Sequence, residues 1–167
     1  MIVLNKKFFL RMILLVLVGC TLFFIWSNSL ESAEASSDKS GRVVKIVKPI
    51  IDPADKMDIE TVTRLVRKFA HFSEFALLGA EIWFLVYTFD RFKRATRLSF
   101  VLSVTLAFVA AIADELIQLT SAGRSCQFAD MLIDLAGIVI GVVFAFGVRF
   151  VFLVIYNRIS CKRSADM

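Results

Sequence analysis

Four apolar stretches, each close to the roughly 20 residues that a helix needs to cross a bilayer, limit this chain to very few architectures. They run over about 8–26, 67–89, 98–120 and 128–156. With 58% hydrophobic residues in 167, the chain carries more apolar surface than a soluble core of this size can bury, since globular domains run nearer about 45–50%. The pattern predicts an all-α integral membrane four-helix bundle with no separate soluble domain.

Basic residues set the expected orientation. Lys6 and Lys7 precede the first stretch, Arg91, Lys93, Arg94 and Arg97 crowd the 90–97 connection, and Arg158, Lys162 and Arg163 mark the 157–167 tail. In a four-span topology all three groups fall on one side, which the positive-inside rule makes cytoplasmic. Both termini are therefore expected inside, with 1–7 as the amino-terminal segment. The net charge of +5 is spent on this asymmetry and does not point to nucleic acid. Cys20, Cys126 and Cys161 show no metal or redox spacing. Leu17-Val18-Gly19-Cys20 has the look of a lipoprotein cleavage box, but the apolar run continues through Trp26, where a mature lipoprotein turns polar. The first stretch is read as a spanning helix that acts only as an anchor.

Residues 27–66 are polar, with Pro49 and Pro53, and are expected to form an extracytoplasmic solvated loop. The apolar patches at 43–47 and 50–51 leave an interfacial segment as the other reading. Asp58-Ile59-Glu60-Thr61 has acids where a helix begins, and that helix is expected to run into the second stretch.

The ionisable residues are the unusual part. A charge at mid-bilayer costs roughly 2.5–3.5 kcal/mol on insertion scales, so such residues face a protein interior or a watery cavity. Arg67, Lys68, His71 and Glu74 open the second stretch. Asp114, Glu115 and Gln118 close the third, and Asp130 and Asp134 open the fourth. In the expected topology all of these lie near the outer ends of their helices, at similar depth. Arg67, His71 and Glu74 share one helix face, as do Asp114 and Gln118. Asp130, Asp134, Gly137 and Gly141 form a further stripe, in which the two glycines read as a close-packing face. That stripe turns both aspartates into the bundle. Glu81 lies deeper, near mid-membrane, either interior or paired, and has no assigned role.

The spacing Arg67-Lys68-x-x-His71-Phe72-x-Glu74-Phe75-x-x-Leu78-Gly79 resembles the first signature of the VanZ-like family of membrane proteins. Asp114-Glu115-x-x-Gln118, then Arg124, then Asp130-x-x-x-Asp134-x-x-Gly137-x-x-x-Gly141 resembles the second. Trp26-Ser27-Asn28 is similar to the family's exit from its first helix. The family often has Asn where Asp134 stands, so this site holds an extra acid. The resemblance implies four membrane helices, and its namesake is associated with resistance to the glycopeptide teicoplanin.

Several functions fit these residues. In a binding protein of the bacterial cell membrane, Arg67, Lys68 and Arg124 would engage an anionic lipid head group or a lipid-linked wall precursor. His71, Glu74, Asp114, Glu115, Gln118, Asp130 and Asp134 would complete the site. In an enzyme, His71, Glu74, Asp114 and Glu115 are the acid/base candidates. A metal version, built on His71-x-x-Glu74, lacks the additional histidines that would specify an ion, so no metal or cofactor is expected. A purely structural polar network and transport through an oligomer are the remaining readings.

Overall fold

The computed structural model describes residues 6–94, 96–124 and 127–165, and these contain helices and turns but no strand. Six helices follow in order: α1 (Lys6–Ser29), α2 (Ala33–Ile51), α3 (Ile59–Tyr87), α4 (Asp90–Arg94), α5 (Thr96–Gln118) and α6 (Phe128–Ala165). Four of them, α1, α3, α5 and α6 as far as Ile159, are long and apolar enough to cross a membrane. Cys126 falls outside the described residues.

Helix α3 is the centre of the bundle. It touches α1, α2, α5 and α6, and α6 most extensively. Its buried residues Phe75, Leu78, Ile82, Trp83 and Val86 recur at helical spacing. They meet Ile25 of α1, Ala107 and Ala111 of α5, and Ile138, Val142 and Ala145 of α6. Without a hydrophobic drive between helices in lipid, such bundles rely on close approach of small residues. Both α5 and α6 supply it. On α5, Ser99, Ser103, Ala107 and Ala111 are buried every fourth residue, and the Ser99 and Ser103 hydroxyls donate to Thr96 and Ser99 carbonyls. On α6, Gly137 lies against the Phe72 carbonyl and Gly141 against the Ala76 carbonyl. The opposite faces of these helices, including Phe23, Val101 and Phe144, are exposed and apolar, as a lipid-facing surface requires.

The 27–66 stretch differs from its expectation as a solvated loop, because residues 33–51 form α2. Ser32 caps its start by accepting the Ala35 amide at 3.2 Å, and Pro49 sits in the last turn. The apolar patches at 43–47 and 50–51, which left an interfacial segment as the other reading, lie on this helix. Val44 of the first patch is buried and docks α2 toward α3, while Val43, Ile46 and Ile50 remain exposed. Asp52 ends the helix and accepts the Met57 amide at 2.7 Å and the Lys56 amide at 3.1 Å, which turns the chain into α3. Asp58 then stands at the N-cap position of α3, with Glu60 in its first turn. That helix begins at Ile59, where the acids at 58–60 led one to expect a start, and runs on through the apolar stretch from 67. At its other end α6 continues helically to Ala165, past the expected 156.

Candidate functional site

The polar residues collect at one end of the bundle, where α1 ends, α5 ends, α6 begins and the amino-terminal half of α3 passes. The α5–α6 turn closes this end. Gly123 takes φ +75° there, a conformation that favours glycine. The turn is tied to the rest by three bonds: Ser121 Oγ donates to the Ser29 carbonyl at 2.7 Å, Arg124 Nη2 to the Asn28 carbonyl at 3.1 Å, and the Ala33 amide to the Ala122 carbonyl at 3.1 Å.

Beneath this turn is a cavity of about 220 Å³. Of the residues expected in the site, Arg67, Lys68, His71, Glu115, Gln118, Arg124, Asp130 and Asp134 line it. Glu74 and Asp114 do not, and lie behind His71. The imidazole Nδ1 stands 3.9 Å from Glu74 Oε2 and 4.0 Å from Asp114 Oδ2, too far for a hydrogen bond to either. Gln118 Nε2 donates to Asp114 Oδ2 at 2.9 Å across one helical turn. At the rim, Lys68 Nζ donates to Asp130 Oδ1 at 2.7 Å, with both side chains about a third exposed. Arg67 makes no ion pair among the described residues.

Many polar atoms remain without a hydrogen-bond partner. They include His71 Nδ1, Glu74 Oε2, Asp114 Oδ1, Asp134 Oδ1, and both Nε and Nη1 of Arg124. Burial, and then the neighbouring Arg67 guanidinium, push Arg124 below its ordinary pKa, while Asp114, Glu31 and Glu115 oppose the shift. Its cation is therefore held in an unfavourable place with donors to spare. Among the described residues no three of the His, Cys, Asp and Glu side chains stand together so as to hold a metal ion.

The site also draws on residues outside the expected set. Arg64 lines the cavity one turn before Arg67 and continues its basic stripe, although it lies ahead of the apolar stretch. Gln127, Ile133 and Ala33 line it as well. Asn28 corrects the reading of the first helix as an anchor alone, because its Nδ2 donates to Glu74 Oε1 at 3.4 Å. Glu81 stays outside the cavity, on the side of α3 that faces Thr21 of α1.

An all-helical bundle with four membrane-length spans and a charged cavity at one end defines the class as a polytopic membrane protein. The VanZ/LLP1 family model matches residues 11–153, and the chain belongs to that family. No curated protein and no solved structure matches it.

Proposed function

We propose that this chain is a multi-pass protein of the bacterial cell membrane that binds the phosphate of a lipid head group, or of a lipid-linked wall component, in the cavity at its outer leaflet. The observation that carries this reading is the unsatisfied state of the polar layer. A network kept only to fix helix register closes its hydrogen bonds, because each buried donor or acceptor left open costs about 1–3 kcal/mol. Here Arg124 keeps two buried nitrogens without partners, and among the described residues Arg67 makes no ion pair, beside open volume. Guanidinium groups match the geometry of phosphate oxygens and bind them in pairs. The outer-leaflet assignment rests on the basic residues at the opposite end of the bundle.

Acid/base chemistry on the bound group is the second reading, favoured by one observation. The imidazole of His71 lies between two carboxylates, near enough for a small movement to close a hydrogen bond.

The test combines affinity with folding. Arg67→Gln and Arg124→Gln are expected to weaken binding of short-chain phosphatidylglycerol to the detergent-solubilised full chain about tenfold each. Arg67→Gln should do so without lowering the unfolding temperature, whereas Arg124→Gln also loses the bond to the Asn28 carbonyl. Unchanged affinity in both variants would overturn the proposal. His71→Ala, Glu74→Ala and Asp114→Ala, scored for folding and for glycopeptide susceptibility of the host, address the wider role. Loss of phenotype with intact folding supports a functional site, and loss of both together marks a structural one.

A further inference from the structure

The charges of the cavity are sorted by depth. Arg64, Arg67 and Lys68 of α3 and Arg124 of the turn lie toward the open end. Glu115 and Asp134 lie about one turn deeper on α5 and α6 than Gln118 and Asp130. Behind them are Asp114 and Glu74. The charges that act most strongly on Asp134 are those of Asp114, Glu115, Asp130 and Glu74, all carboxylates. Its side chain is 2% exposed and that of Asp114 0%, and Oδ1 of each lacks a hydrogen-bond partner. The rim thus offers guanidinium donors, with the Arg124 charge acting on Asp114 and Glu115, and at Asp134 the floor offers a buried acceptor surrounded by carboxylates. A phosphate alone satisfies the rim and leaves the floor as it was.

We infer that the ligand is an amino-phosphate: its phosphate rests on Arg67 and Arg124, and a primary ammonium on a short spacer rests on Asp134, with Glu115 beside it. An ammonium brings three N–H donors and one positive charge to a place that has acceptors and negative charge in excess. Its longer contacts tolerate carboxylates that are too spread to hold a metal ion. The separation between rim and floor, about one turn or ~5.4 Å, suits a spacer of a few atoms. This inference rests on the phosphate-binding reading, since the phosphate fixes the depth at which the ammonium arrives. Phosphatidylethanolamine and soluble phosphoethanolamine share the required chemistry.

The experiment is calorimetric titration of the full chain in detergent with short-chain phosphatidylethanolamine, phosphatidylglycerol, soluble phosphoethanolamine and inorganic phosphate. Phosphatidylethanolamine is expected to bind about tenfold tighter than phosphatidylglycerol, through its added charge-assisted hydrogen bonds. Asp134→Asn should remove that preference and bring the two lipids to equal affinity, and Glu115→Gln should reduce it. A preference of phosphoethanolamine over phosphate, equal to that between the lipids, also supports the inference and shows that a soluble ligand suffices. Equal affinity of the two lipids for the unaltered protein, with both bound, overturns the inference and leaves the phosphate site standing. If neither lipid nor phosphate binds, the phosphate reading falls, and the inference falls with it. The comparison of lipids on the unaltered chain decides the matter even if a variant fails to fold.

Discussion

Gly141 of α6 lies so close to Ala76 of α3 that a β-carbon on it would stand 1.8 Å from the Ala76 carbonyl oxygen. One turn earlier, a β-carbon on Gly137 would stand 2.4 Å from the Phe72 carbonyl. Backbone atoms cannot swing aside as a side-chain tip can, so a methyl group here must push the helices apart. Gly141→Ala is expected to destabilise the bundle by at least about 1–3 kcal/mol, the usual cost of overpacking. Because α3 and α6 both line the cavity, ligand affinity should fall as well. Gly147, with nothing near its would-be β-carbon, is the control, and Gly147→Ala should leave unfolding in a detergent titration almost unchanged. Equal effects of the two substitutions would mean that α3 and α6 do not approach so closely.

That contact was legible in the sequence, because two glycines four residues apart continue the stripe of Asp130 and Asp134. Facing residues on three helices were legible for the same reason: helical periodicity and similar distance from helix ends need no tertiary information. What could not be read was the part that depends on the partner element. The apolar arc of α2 is short and interrupted by Lys45 and Lys48, and becomes a helix face only where Val44 finds α3. Asn28 looks like any polar residue at a helix exit until Glu74 is opposite it. The cavity itself is a gap between side chains, and spacing along one helix carries no record of how far the neighbouring helix stands.

Asp52 gives the α2–α3 connection a pH dependence. The Met57 amide, then the Lys56 amide and the charge of Lys48, hold its carboxyl below the ordinary value. A folded-state pKa lower than the unfolded one means that this contribution is present above the unfolded value. It is lost as pH falls through the folded value. Acidification below the ordinary carboxylate range is therefore expected to open the 52–57 turn. Protection factors of the Lys56 and Met57 amides, taken against intrinsic exchange at each pH, should fall in that window in the native chain. Asp52→Asn, which cannot ionise, should show lower protection at neutral pH that no longer changes through the window. A pH response that survives the substitution would assign the effect elsewhere.

At the far end of the bundle α1 is fastened to α3 by Arg11. Its Nε donates to Thr88 Oγ1 at 3.1 Å, its Nη2 donates to the Thr88 carbonyl at 3.0 Å, and the guanidinium lies 4.1 Å from the centre of the Phe89 ring. A lysine at this position keeps the charge but cannot make both bonds or the stacking at once. Arg11→Lys is expected to lose about 1 kcal/mol of stability, and Arg11→Ala about 1–3 kcal/mol. Lys7, paired with exposed Asp90 at 3.0 Å, should matter far less, by about 0–1 kcal/mol for Lys7→Ala. Unfolding titrations of the three variants give the order directly.

The side of the membrane on which the cavity opens has its own measurement. Ala122 lies in the exposed turn over the cavity, and Arg91 is exposed at the opposite end of the bundle. With Cys20, Cys126 and Cys161 replaced by serine, Ala122→Cys should react with a membrane-impermeant maleimide on intact cells. Arg91→Cys should react only after the membrane is permeabilised. The reverse pattern would turn the cavity toward the inner leaflet, where Lys6, Lys7, Arg91 and Arg97 would then face outward against the usual bias of basic residues. Its ligand would in that case have to be sought among cytoplasmic-leaflet head groups, and a direct role in glycopeptide susceptibility at the outer surface would fall.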